Sequence, residues 1–224
     1  MTSISTERRP LLLGHRGARR EASENTVAAF ELALQHGCDG FEFDVRRTLD
    51  GRSLICHDPR LRSLEVARHT HSDLLRREPA ACCLEDVLAT FSSRAYLNIE
   101  LKVPSLEQSV VDALRQNPPQ HGYAISSFAA EVVMATRSLD PEVPTGFICD
   151  RNRELARWST LPCNVVIPNE KLTTPSLVKE IHDAGKQIFV WTVNQESRMH
   201  TLAEWGVDAI ISDDTALLAR ALRS

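Results

Sequence analysis

The feature that most constrains this chain is a repeated alternation. Short apolar, β-favouring runs are followed by stretches with helical spacing along nearly its whole length. The runs fall at residues 11–14, 40–46, 96–102, 123–128, 145–149, 164–168, 187–194 and 207–212. Helical patterns occur at residues 26–36, 131–139, 154–159, 196–205 and 215–222. In the first of these, Val27, Phe30 and Leu34 share a face and Gly37 supplies the stop. Two more open at caps: Ser105 with Gln108 at capping-box spacing, and Thr174 ahead of Pro175. Strands that alternate with helices pair in parallel, and eight of them predict an α/β fold of the TIM-type (β/α)8 kind. An open doubly wound sheet is the alternative, but no G-x-G-x-x-G or Walker-type loop supports it. The 224 residues suffice for one such domain, so residues 1–224 are read as a single barrel.

One apolar run breaks the alternation. Residues 53–57 follow the second strand across Asp50-Gly51, a two-residue hairpin signal. The second strand is therefore expected to run past the barrel rim, turn, and return antiparallel. In that register Leu49 faces Arg52 and Asp44 faces His57, with opposed Cβ atoms roughly 5 Å apart. Turn chemistry alone then brings a carboxylate and an imidazole together at the barrel mouth.

Composition excludes several partners. The 26 basic and 30 acidic residues are spread along the chain, with no basic block for nucleic acid and no basic stripe for a membrane surface. No apolar run approaches 18 residues, so no membrane-inserted helix is expected. The polar start, residues 1–10 with Arg8 and Arg9, reads as a short mature N-terminus. Cys38, Cys56, Cys82, Cys83, Cys149 and Cys163 form no C-x-x-C pair. They read as reduced, buried thiols of a cytoplasmic protein.

The chemistry concentrates at strand ends. Glu42 and Asp44 are two apart on a strand, so both point one way while Phe41, Phe43 and Val45 point the other. Two acids facing a barrel interior repel and lose solvation unless a positive charge sits between them. A hard divalent cation such as Mg²⁺ or Ca²⁺ answers that need. Glu100 adds a third acid on the next strand, where Asn98, Glu100 and Lys102 share the polar face. Gly14-His15-Arg16-Gly17 follows the first strand directly. Arg16 offers a donor fork for a phosphate, and Lys102 a point charge for the negative charge that grows in its transition state. His15 and His57 are the candidates for a general base and a general acid. His36, His69, His71, His121, His182 and His200 carry no such context and read as structural.

Read in order, the chain contains His15-Arg16-Gly17, Glu24-Asn25-Thr26, Glu42-Phe43-Asp44, His57-Asp58, Glu100-Leu101-Lys102, Ser127-Phe128, Trp191-Thr192-Val193-Asn194, and Gly206-Val207-Asp208 with Asp213. In these motifs and their order it resembles the glycerophosphodiester phosphodiesterases. The resemblance implies a barrel with its site at the C-terminal strand ends and one divalent cation (Mg²⁺ or Ca²⁺, with Mn²⁺ also suited) on Glu42, Asp44 and Glu100. It implies His15 and His57 as acid/base pair, and Arg16 and Lys102 on the phosphate, with Phe128 and Trp191 walling the glycerol. The implied reaction cleaves a small-molecule glycerophosphodiester, a deacylated phospholipid, to glycerol 3-phosphate and an alcohol. The glycerol hydroxyl attacks first, and water then opens the cyclic phosphate. The chain departs from the family pattern in three places. The insertion is reduced to about residues 60–91, Ser23 replaces a proline, and Asp213-Asp214 lacks a nearby one. The alternatives are a lysophospholipase D-like phosphodiesterase and a non-catalytic barrel that binds polyol phosphates.

Overall fold

The computed structural model describes residues 9–223. The expectation for residues 1–8 lies outside them. Eight parallel strands close into a barrel: β1 Leu11–His15, β2 Gly40–Arg47, β3 Tyr96–Leu101, β4 Tyr123–Ser127, β5 Thr145–Cys149, β6 Val165–Pro168, β7 Gln187–Val190 and β8 Ala209–Ser212. Each pairs with the next, and β1 pairs with both β2 and β8, which rules out the open sheet. No helix among the described residues is long and apolar enough to cross a membrane.

Alternation along each strand builds two separate cores. Leu13, Ala124, Ile148, Val165, Ile167, Phe189, Ala209 and Ile211 fill the barrel interior. Phe41, Phe43 and Val45 point outward beneath the helices, as expected, and join Phe30 and Phe91. Phe30 stacks on Phe41 at 4.2 Å, and Phe91 meets Phe41 edge-on at 5.1 Å. Gly40 sets how closely β2 and β3 approach, because a Cβ there would lie 1.9 Å from the Tyr96 carbonyl oxygen.

The first helix, Val27–Gln35, is capped by the Thr26 hydroxyl, and Thr174 caps Pro175–Asp183 as the sequence predicts. Ser105 does not cap its helix. The helix is Glu107–Gln116, with Leu106 at the cap position and no side-chain cap bond. Ser105 instead turns at φ 68°, which swings the fully buried Leu106 into the core. Burying a leucine outweighs one cap hydrogen bond. The helix expected at 154–159 splits into Asn152–Leu155 and a 3₁₀ turn, Trp158–Thr160, where Trp158 drops into the core.

The hairpin after β2 exists, but its register differs from the expected one by a residue. Val45 pairs with Ile55 and Arg47 with Ser53, so the returning strand is Ser53–Ile55. Thr48 N donates to the Arg52 carbonyl, and the Thr48 hydroxyl accepts from Arg52 N. That local bond lengthens the loop to residues 49–51, with Gly51 at φ 80° as a three-residue hairpin requires. Cys56, not His57, therefore lies opposite Asp44. Beyond the hairpin come a two-stranded ribbon (Arg60–Leu61 with Leu64–Glu65) and the helix His71–Arg77. The last part of the stretch read as insertion, Leu84–Phe91, packs on the barrel through Leu84, Val87, Leu88 and Phe91.

Candidate active site

The strand ends of β1, β2 and β3 carry the charged half of the site. Parallel register sets His15 beside Glu42, Glu42 beside Asn98, and Asp44 beside Glu100. One carboxylate oxygen from each of Glu42, Asp44 and Glu100 lies within 4.8 Å of the others, and all three residues are buried. Asn25 fixes Asp44 from both sides: its amide donates to Oδ2 at 2.9 Å, and its carbonyl accepts from the Asp44 backbone at 3.2 Å. Arg16 Nε stands 3.1 Å from Asp44 Oδ2, and its other arm donates to Glu24 at 2.9 Å. Lys102 Nζ is 2.5 Å from Glu100 and 3.4 Å from Asp44.

These cations divide the acids unequally. Burial, then repulsion from Asp44 and Glu100, pushes Glu42 well above the ordinary carboxyl range. Burial, then Asp44, pushes Glu100 up to about 7. Asp44 is buried too, yet Lys102, Arg16 and the Asn25 amide overcome that penalty and hold it below its ordinary value. Glu42 Oε1 and Asp44 Oδ1 are buried with no hydrogen-bond partner among the described residues. Two buried carboxylate oxygens that accept no hydrogen bond, with only Lys102 Nζ at 3.4 Å beside the Asp44 one, and a third acid within reach fit a hard divalent cation, which takes oxygen ligands and removes the desolvation cost.

His15 sits beside this cluster. Its Nδ1 lies 2.7 Å from Asp213 Oδ1, and its Nε2 is 3.9 Å from Glu42. Asp213 is itself held, since Asn194 donates to Oδ2 at 2.7 Å and accepts from the Asp213 backbone at 3.0 Å. Burial is the main reason the His15 imidazole titrates below its ordinary range. His57 reaches the same cavity by a different route. It lies just past the hairpin strand, with its carbonyl gripped by Arg46 Nε at 2.7 Å and its Nδ1 2.8 Å from Asp58.

The opposite wall is apolar. Phe128 after β4 and Trp191 after β7 meet edge-to-face at 5.4 Å, and Trp191 Nε1 donates to the Ile167 carbonyl at 3.0 Å. Lys102 Nζ lies 5.6 Å from the Phe128 ring centre. One cavity is lined by His15, Arg16, Glu42, His57, Glu100, Lys102, Phe128 and Trp191, so eight of the nine residues singled out in the sequence meet there. Asp44 stands just behind, inside the acidic cluster. Asp213, Asn25 and Glu24 also prove to be built into the site. They belonged to the quoted motifs, but nothing in their spacing shows which side chain each one holds. His57 is present despite the misplaced register, because the chain needs only one further residue to swing it over the mouth.

A closed barrel with buried acids, two imidazoles and two cations at its C-terminal rim defines an enzyme site for a phosphate ester, of the phosphodiesterase class. A sequence model of the glycerophosphoryl diester phosphodiesterase family matches residues 15–217. The chain is 50% identical to a probable glycerophosphodiester phosphodiesterase 1 of Mycobacterium tuberculosis, over 88% of this chain and 87% of that one. It is 26% identical to a glycerophosphodiester phosphodiesterase of Caldanaerobacter subterraneus subsp. tengcongensis, over 95% and 98%. Among solved structures, a phosphodiesterase of Oleispira antarctica in complex with the product sn-glycerol-3-phosphate superposes with a TM-score of 0.82. That pair is 26% identical, with 96% of this chain and 98% of that one covered. A putative glycerophosphoryl diester phosphodiesterase from Silicibacter pomeroyi, 24% identical, shares the fold with a TM-score of 0.85 over 96% and 93%. The chain belongs to the glycerophosphoryl diester phosphodiesterase family, and it is a phosphoric diester hydrolase.

Proposed function

We propose that this enzyme hydrolyses glycerophosphodiesters to glycerol 3-phosphate and an alcohol, with a divalent cation held by Glu42, Asp44 and Glu100 and with His15 and His57 exchanging protons. The observation that carries the reading is the buried acid triad, two of whose oxygens accept no hydrogen bond, beside a cavity that both imidazoles line. Mg²⁺ or Ca²⁺ at that triad supplies Lewis-acid polarisation of a phosphoryl oxygen. Arg16 and Lys102 orient the phosphate and take up the charge that develops on it. Lys102 pairs with Glu100 and Asp44 in this structure, so it exchanges one anionic partner for another as substrate arrives.

The histidines differ in depth. The His15 side chain is 12% exposed and lies against the acids, whereas His57 is 33% exposed at the rim. Asp213 engages His15 Nδ1 and leaves Nε2 as the acceptor facing the cavity. That nitrogen takes the proton of the glycerol hydroxyl next to the phosphate. The hydroxyl oxygen bonds to phosphorus, and the bond from phosphorus to the alcohol breaks. His57 gives a proton to the alcohol, which leaves on the open side. Water then opens the cyclic phosphate with the two roles reversed. The six cysteines, all buried and none in a disulfide, suit the cytoplasmic location read from the sequence.

Phosphorus NMR of glycerophosphocholine incubated with the enzyme tests the reading. Glycerol 3-phosphate should form, cease to form with EDTA, and return with Mg²⁺, Ca²⁺ or Mn²⁺. Turnover of lysophosphatidylcholine in place of glycerophosphocholine would favour the lysophospholipase D-like alternative. Binding of glycerol 3-phosphate without turnover under any ion would favour a non-catalytic barrel.

A further inference from the structure

Asn98 is the one side-chain amide among the residues lining the cavity, and the proposed reaction gives it no task. It is fully buried, and neither its Nδ2 nor its Oδ1 has a hydrogen-bond partner among the described residues. Along β3 the inward column runs Tyr96, Asn98, Glu100, Lys102. Tyr96 packs with the apolar interior, and Glu100 belongs to the acidic cluster. Asn98 therefore lies at the boundary between barrel core and charged rim. Its register neighbours are Glu42 on β2 and Ala124 on β4, and the alanine side chain offers the amide no hydrogen bond. Ile148, Ile167 and Ile211 line the same cavity and offer it no hydrogen bond.

A buried amide with both functions unmet is costly, at about 1–3 kcal/mol per group. A leucine would fill the position at no such cost. The amide therefore matches a ligand group that gives and takes a hydrogen bond at one atom. A phosphate oxygen only accepts. An alcohol hydroxyl does both: it accepts from Nδ2 and donates to Oδ1.

We infer that Asn98 is a specificity-determining residue that reads a free hydroxyl of the polyol at the floor of the cavity, and so selects deacylated, unsubstituted glycerol phosphodiesters. The inference rests on the function proposed above. It assigns the amide to the terminal hydroxyl, the one remote from phosphorus, because the adjacent hydroxyl is consumed as the nucleophile. A site built to bond a hydroxyl rejects an analogue that lacks it, since the buried amide is then left unpaired.

The test compares glycerophosphocholine with the matched propane-1,2-diol phosphocholine, which keeps the reacting hydroxyl and lacks the terminal one. Both are assayed on the Mg²⁺-loaded enzyme and on Asn98→Leu. The wild type should prefer the glycerol substrate in kcat/KM by about 10–100-fold, the fold-change that an unpaired buried amide costs. Asn98→Leu should lose that preference by slowing on glycerophosphocholine while its rate on the deoxy substrate stays within about threefold. Asn98→Ser, which keeps a smaller hydrogen-bonding group, should retain part of the preference and covers the case in which the leucine variant fails to fold. Preserved discrimination in a folded variant overturns the inference, and so does an equal loss on both substrates with weakened Mg²⁺ affinity by calorimetry. A wild type that turns over both diesters equally well overturns it too, while leaving the proposed reaction standing. A wild type inactive on both under every ion overturns the proposed reaction and this inference with it.

Discussion

At the scale of single residues, the site is a problem in placing charge. Three acids share a buried volume, and the structure meets their repulsion with Arg16, Lys102 and the Asn25 amide. Two consequences are measurable. Burial, then Asp44, pushes Glu100 up to about 7, and burial with its acidic neighbours raises Glu42 too, so in the ion-free site both take up protons more readily than ordinary carboxylates. A raised carboxyl must lose its proton before it can ligate, so affinity for Mg²⁺ should fall as pH drops through about 7. The fall should be about tenfold per unit for each competing proton. Calorimetry in buffers of different ionisation enthalpy reads this as proton release, and affinity unchanged from pH 8 to pH 6 would contradict it. The second prediction concerns Asp213, whose carboxylate lies 2.7 Å from His15 Nδ1 and so favours a proton on that nitrogen. Asp213→Asn should lower kcat on the order of 100-fold and leave Mg²⁺ affinity within about twofold. A kcat near the wild-type value would show that His15 needs no orienting partner.

At the scale of elements, local rules compete with burial, and the outcome depends on what is at stake. Thr174 keeps the expected cap, its hydroxyl accepting from Leu177 N at 3.2 Å, because no large apolar side chain takes the cap position there. Thr174→Ala should cost about 1 kcal/mol and lower Tm by roughly 2–4 °C in a chain of this length, whereas Ser105→Ala should change it little. Thermal melts of the two variants give the comparison, and equal losses would restore Ser105 as a cap. The hairpin shows the same competition from the other side. Asp50-Gly51 signals a two-residue turn, but Thr48 closes a longer loop and Asp50 Oδ1 accepts from Thr48 and His71. Both partners lie outside the turn dipeptide, so a reading confined to Asp50-Gly51 misses them.

At the scale of the whole molecule, Asp39, just ahead of β2, ties the segment before β1 and the segment after the last helix to the barrel. It accepts from Leu12 N on β1 at 2.8 Å and from both arms of Arg9, and Arg223 beyond the last helix lies 3.6 Å away. Burial works against its charge, yet the Arg9 fork and the Leu12 N–H prevail and hold its carboxyl below the usual range. A depressed folded pKa contributes stability that is present above the unfolded value, near 4, and is lost as pH falls through the folded one. The Tm gap between wild type and Asp39→Asn should therefore be full at pH 6 and shrink below about pH 4. A gap constant down to pH 3 would show that the carboxylate's charge contributes nothing.

The order of the eight barrel strands, the outward set Phe41, Phe43 and Val45, and the parity that aligns Glu42 with Asp44 were all determined by the sequence alone. Each depends on periods of two or 3.6 residues, which act between near neighbours in the chain. The same local logic picked out the acids, imidazoles and cations of the site, because such groups at the ends of apolar strands have few structural uses, whereas Phe128 and Trp191 were marked only by the resemblance. Only the tertiary structure decided which loop closes the hairpin, that Leu106 rather than Ser105 takes the cap position, that Asp213 orients His15 across 198 positions of chain, and that the Asn98 amide stands unpaired. Those outcomes turn on burial and on contacts between distant segments, whose energies exist only once the barrel has closed.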